Sequence, residues 1–246
     1  PARRQGVRRR RCIACVMLCS VAASAFADTE VQPFAANYEG SKTVALFTAT
    51  ARARIELQRV APYLLYTMDT TLRWTLIERR FRDCAVLRID AGRLWPVEYR
   101  HIDEADAKLD VHTRFDWTQG KASTLRGGDA TAQIVNIAWP TWDAMSFQVA
   151  LMAAAPQRAA GSRETHAVVE RGRLKEHQVE FIQPQRIVSR KGDDEVHLLL
   201  LPQQGWQPQR LTIDGVTIER TGAASGAPVT SIVAGTVPQC PARAAP

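Results

Sequence analysis

Ala49-Thr50-Ala51-Arg52-Ala53-Arg54-Ile55-Glu56-Leu57 decides the fold class, because its residues change character at every step. Alanine, isoleucine and leucine stand at the odd positions, threonine, arginine and glutamate at the even ones. Side chains that leave an extended backbone alternately on two faces have this period of two, so the stretch reads as a strand with one face buried and one wet. Phe34-Ala35-Ala36-Asn37-Tyr38 reads as a strand before it, and Tyr63 to Ile77, rich in Tyr, Thr, Leu and Trp74, as one or two after it.

The same texture continues. Arg82 to Asp90 and Trp95 to Ile102 flank Ala91-Gly92, a hairpin-like connection, and Lys108 to Trp117 alternates through Leu109, Val111, Thr113 and Phe115 before the turn Thr118-Gln119-Gly120-Lys121. The first half is therefore an antiparallel meander. Strand patterns return at Thr165 to Glu170, Leu174 to Ile182, Val196 to Leu201 and Gln209 to Glu219. Within the last, Asp214-Gly215 separates Leu211-Thr212-Ile213 from Val216-Thr217-Ile218, a strong two-residue hairpin signal. Lys191-Gly192-Asp193-Asp194 reads as another turn.

One segment breaks the period. Residues 143–155 carry Ala, Met, Ser, Phe, Gln, Val and Leu without a β-branched run, closed by Pro156, with Thr141 or Asp143 available as cap. Only Ser146 and Gln148 are polar inside it, so this helix is apolar nearly all round and must be buried on most sides. The expected fold is mainly β (α+β): a single strongly curved or partly closed antiparallel sheet around one buried helix near residues 143–155.

Composition sets the destination. Residues 1–27 combine Arg8, Arg9, Arg10 and Arg11, an apolar core from Cys12 to Ala23, and Ala25-Phe26-Ala27 before Asp28, the layout of a cleaved secretory signal. The expected organisation is a signal at 1–27, one β-rich domain at 28–221 and a Gly/Ala/Pro-rich tail at 222–246, with a periplasmic destination. The whole chain has 32 Lys+Arg against 25 Asp+Glu. Six of those arginines lie in the signal, which leaves the remainder at 26 against 25 and excludes nucleic acid as a partner. After the signal no stretch is apolar for the roughly 20 residues a spanning helix needs, so no transmembrane segment is expected.

Two of the five cysteines, Cys84 and Cys240, follow the signal. In an oxidising compartment they read as a disulfide candidate, while the flanking Pro238 and Pro241 suit equally a free thiol on an extended tail. Both readings stand at this level.

Catalytic constellations are missing. His101, His112, His166, His177 and His197 sit on five separate strand-like segments and never at a metal-binding spacing, which points to dispersed surface histidines and no metal site. Asp103, Glu104, Asp106 and Asp110 lack the ligand spacing and glycine of a calcium loop and read as a solvated hairpin tip. Ser146 has no flanking glycines of a nucleophile elbow, and its hydroxyl is expected to bond a backbone carbonyl one turn back. Gly127-Gly128-Asp129 is too short to cradle a phosphate, Cys84 has no C-x-x-C partner, and no cofactor motif is present. Six tryptophans and the tyrosines Tyr63, Tyr66 and Tyr99 fit either core packing or the wall of an apolar cleft.

Five short motifs, in order, resemble one family. They are Phe34-Ala35-Ala36-Asn37-Tyr38, Gly92-Arg93-Leu94-Trp95-Pro96-Val97-Glu98-Tyr99, Phe115-Asp116-Trp117-Thr118-Gln119-Gly120, Trp142-Asp143-Ala144-Met145-Ser146 and Trp206-Gln207-Pro208-Gln209-Arg210-Leu211. Together they resemble the bacterial exported domain-of-unknown-function family numbered 3108. The resemblance spans Phe34 to Arg220; it implies a periplasmic antiparallel β-rich domain and brings no catalytic residues. Two functions follow as expectations. One is a non-enzymatic binding or envelope-maintenance protein holding a lipid or other apolar ligand in the concave face of its sheet. The other is a cell-envelope hydrolase or modifying enzyme whose acid and base, Asp116 with His112 or His101, meet only in three dimensions.

Overall fold

Each period-two stretch forms a strand in the computed structural model, which describes residues 31–44, 47–213, 216–224 and 236–243. The signal read at 1–27, the turn Asp214-Gly215 and much of the tail lie outside the described residues. The first meander is β1 (Phe34–Val44), β2 (Phe47–Val60), β3 (Tyr63–Trp74), β4 (Ile77–Asp90), β5 (Arg93–Asp103), β6 (Val111–Asp116), β7 (Lys121–Arg126) and β8 (Gln133–Asn136). Then come β9 (Thr141–Asp143) and the helix α1 (Ala144–Ala154). The second meander is β10 (Ser162–Glu170), β11 (Arg173–Gln183), β12 (Arg186–Lys191), β13 (Asp194–Leu201), β14 (Gln207–Ile213) and β15 (Val216–Ala223).

All fifteen strands belong to one sheet, in the order β8 down to β1, then β15 down to β9. The strand order thus starts with β1 in the middle, meanders out to one edge, crosses to the other, and meanders back until β15 pairs antiparallel with β1. So many twisted strands cannot stay flat, and the sheet rolls up. The rolled edges overlap without pairing. Val169 of β10 packs with Phe115, Ala122 and Ile137, and Gln133 of β8 lies against Gly172 in the β10–β11 turn. The result is a mainly β, barrel-like roll that is not closed.

The pairing departs from the expected antiparallel pattern at one edge, where β9 runs parallel to β10. A parallel neighbour requires a crossover, and α1 supplies it. Ten of the helix's eleven residues are buried, from Met145 to Ala154, in a core that includes Tyr38, Ile55, Leu57, Leu64, Tyr66 and Leu87. Tyr38 donates to the Pro208 carbonyl at 2.7 Å across the β1–β15 seam, and Tyr66 donates to Gln148 Oε1 at 3.1 Å, satisfying the helix's buried amide oxygen.

Other differences from the sequence reading are local. Ala107–Leu109 is a turn of 3-10 helix, so β6 starts at Val111. The strand β12 has no sequence alternation because Ile187, Val188 and Ser189 are all buried. Strand β15 extends to Ala223, past the expected domain boundary at 221. The tail also returns to the sheet: Cys240 is buried with Leu65, Cys84 and Val86 on the convex face and is disulfide-bonded to Cys84, with Cα atoms 5.6 Å apart.

Candidate functional site

The helix fills one part of the roll and leaves a cavity of about 680 Å³ beside it. Its floor is apolar: Phe147 and Leu151 from α1, Ile187 from β12, Val196 and Leu198 from β13, and Leu211 from β14. Strand alternation puts these side chains on one face. Register places Ile187 opposite Leu198 and Leu198 opposite Leu211, and directly opposed residues share a face. None of the six tryptophans lines the cavity. Trp95, Trp117 and Trp139 gather elsewhere, with ring centres 5.1 and 6.0 Å from Trp95, and Trp142 is a core residue.

Above the floor lies a polar layer built on β10, β11 and β12. His177 places Nε2 2.9 Å from Glu170 and Nδ1 3.1 Å from Ser189 Oγ, while Lys191 donates to the second Glu170 oxygen at 2.9 Å. Burial works against the Glu170 charge, but the bonds from His177 and Lys191 outweigh it and hold the carboxyl down at about 2. An ionised Glu170 only accepts, so His177 Nε2 carries a hydrogen, and in the neutral ring Nδ1 accepts from Ser189. Across the cavity, Tyr99 donates to Asp83 at 2.9 Å and His101 Nδ1 bonds the same oxygen at 2.9 Å. Burial opposes the imidazolium of His101, yet the Asp83 bond raises its pKa.

Two of the histidines depart from the expected surface dispersal, while His101 and His112 are partly exposed and His197 is nearly half exposed. His166 and His177 face each other across β10 and β11, both buried, with the Phe147 ring 5.3 Å from each. Each of the five sits beside a carboxylate: His101 by Asp83, His112 by Glu98, His166 by Glu164, His177 by Glu170 and His197 by Glu195. Among the described residues, no three metal-ligating side chains gather. No helix among them is long and apolar enough to cross a membrane.

The proposed acid and base do not meet. His101 pairs with Val111 on the concave face, whereas Asp116 shares the opposite face with His112 by strand alternation. Asp116 and His112 lie four residues apart on β6, about 13 Å at the rise of a strand. Each is also engaged elsewhere. Asp116 accepts from Thr118 Oγ1 at 2.6 Å and the Gln119 amide at 3.0 Å, and His112 bonds Glu98 at 2.7 Å.

Two sequence expectations are corrected. Ser146 does not chiefly bond a carbonyl: its hydroxyl donates to Asp143 Oδ2 at 2.6 Å and accepts from the Asp143 amide at 3.0 Å, while Asp143 accepts from the Met145 and Ser146 amides. That is a reciprocal capping box. Burial raises the Asp143 pKa to about 6, against the pull of these bonds. The acidic cluster is only in part a solvated tip: Glu104 is exposed, but Asp103 and Asp110 are engaged. Asp103 is fully buried, bonded by Arg79 and by the amides of Ala105 and Asp106, and Asp110 accepts two bonds from the tail's Arg243 at 2.8 and 2.9 Å.

No family model matches the chain, and no curated protein matches it. Among solved structures it is similar to the crystal structure of a β-barrel-like protein of domain of unknown function 1849 from Brucella abortus. The identity is 9%, the TM-score 0.50, and the match covers 78% of this chain and 96% of that one. The likeness is one of fold: a β-rich domain of unknown function.

Proposed function

We propose that this protein is an exported, non-enzymatic carrier or envelope-maintenance protein that holds an apolar ligand inside its rolled sheet. The observation that carries the reading is the cavity with the floor of Phe147, Leu151, Ile187, Val196, Leu198 and Leu211. Its 680 Å³ lies within the range of about 300–1,000 Å³ that holds small molecules. Each methylene buried there contributes about 0.8 kcal/mol, so an acyl chain suffices for useful affinity. The arginine-rich, apolar layout of residues 1–27 supports export to the periplasm, and the motif order from Phe34 to Arg220 supports kinship with the exported family numbered 3108.

Native mass spectrometry and solvent extraction of protein purified from the periplasm test the function. The expected result is a co-purified apolar molecule, reduced several-fold by Val196→Trp, which fills the floor. Protein that is consistently empty and takes up no apolar probe refutes the reading. Sequencing of the secreted chain checks export, with Asp28 expected as its first residue.

A further inference from the structure

The lip of this cavity is as distinctive as its floor. Five cations line the cavity, Arg126, Arg171, Arg173, Lys175 and Lys191, against two carboxylates, Glu170 and Asp194. Lys191 lies between those two carboxylates, at 2.9 and 3.4 Å, and Arg126 pairs with Asp129 at 3.0 Å. Arg171, Arg173 and Lys175 make no ion pair among the described residues, although many arginines on the other strands do, as in Arg52 with Glu39, Arg82 with Asp69 and Arg190 with Glu195.

Their placement is set by the backbone. Arg173 and Lys175 alternate on β11 with His177 and Val179 and so share the concave face, while Arg171 caps the hairpin at φ +46° beside Gly172 at φ +79°. Three exposed, unneutralised cations thus stand on one hairpin over a greasy floor. Resting on the reading above, we infer that the ligand is an anionic amphiphile. Its acyl chain lies on Leu198, Ile187 and Leu211, and its carboxylate or phosphate head is held by Arg171, Arg173 and Lys175. Guanidinium forks suit both head groups, since each offers paired anionic oxygens.

Binding of dodecanoate, dodecyl phosphate and uncharged dodecanol to the purified full chain, measured by displacement of a fluorescent apolar probe, tests this. Both anionic ligands are expected to bind about tenfold or more tightly than dodecanol, the worth of one charge-assisted hydrogen bond. The triple variant Arg171→Gln, Arg173→Gln, Lys175→Gln is expected to lose that advantage and keep its dodecanol affinity. The better of the two anions identifies the head group. Equal affinity for all three ligands overturns the head-group assignment and leaves the cavity reading standing. Binding of none overturns both, and equal competition by inorganic phosphate alone shows a small-anion site and overturns the amphiphile.

Discussion

Asp143 shows how much one buried carboxyl governs. It caps α1 while fully buried, and burial lifts its pKa from 3.8 to about 6. The folded state therefore binds a proton that the unfolded chain has released between about pH 4 and 6. Its contribution is present below that window and lost as pH rises through it. Such a shift amounts to a cost on the order of 3 kcal/mol for the ionised form. Asp143→Asn keeps an oxygen for the Met145 and Ser146 amides and is expected to flatten the fall in stability between pH 4 and 6, read by urea denaturation at stepped pH. Asp143→Ala removes the cap and is expected to lose about 1–2 kcal/mol or more at any pH. Gly40 is the second decisive residue. A β-carbon there would stand 1.8 Å from the Thr217 carbonyl oxygen, where β1 meets β15. Gly40→Ala is expected to cost about 1–3 kcal/mol by overpacking, measurable as a lower Tm.

Among the elements, the returning tail binds far more firmly than its Gly/Ala/Pro composition implies. The Cys240 amide donates to Glu98 at 3.2 Å, the same carboxylate that bonds His112, and Arg243 clasps Asp110. The disulfide closes a separation of 156 residues, for which the chain-entropy model gives about 5 kcal/mol. Reduction, or Cys84→Ser with Cys240→Ser, is expected to lower stability by up to that amount. It is also expected to make residues 236–243 a site of early cleavage in limited proteolysis, whereas the oxidised protein resists there. A thiol titration of denatured, unreduced protein should find neither cysteine reactive. The helix α1 is the contrasting case: its nearly all-apolar sequence was enough to predict burial, and Asp143 rather than Thr141 proved to be its cap.

For the whole molecule, acid stability follows from carboxylates held by partners. Glu98, Glu164 and Glu170 all lie below the ordinary range; in each, burial opposes the shift, but hydrogen bonds from His112, His166 and His177 outweigh it. For groups lowered on folding, the stabilisation is complete above about pH 4.5 and is lost as pH falls toward 2. Together with Asp143 and His101, whose raised values remove stability as pH climbs, this predicts greatest stability in the mildly acidic range. A scan of Tm against pH that rises steadily to pH 8 would contradict it.

The alternation at Ala49–Leu57, the Ala91-Gly92 connection and the apolar run at 143–155 were legible because they are local: a strand's two faces and a buried helix leave their period in neighbouring residues. The strand β12 was not legible, since burial on both faces erases the period. The sequence by itself determined a mainly β chain with one internal helix, and it left open whether Cys84 and Cys240 pair. Only the tertiary structure decided that β9 runs parallel to β10, that the edges overlap, and that Cys240 lies on Cys84. It also decided that His177 and Glu170 meet above an apolar floor while Arg173 and Lys175 line its lip. Those facts join residues brought together by the roll of a fifteen-stranded sheet, and no short-range pattern in the chain records how far a sheet curls.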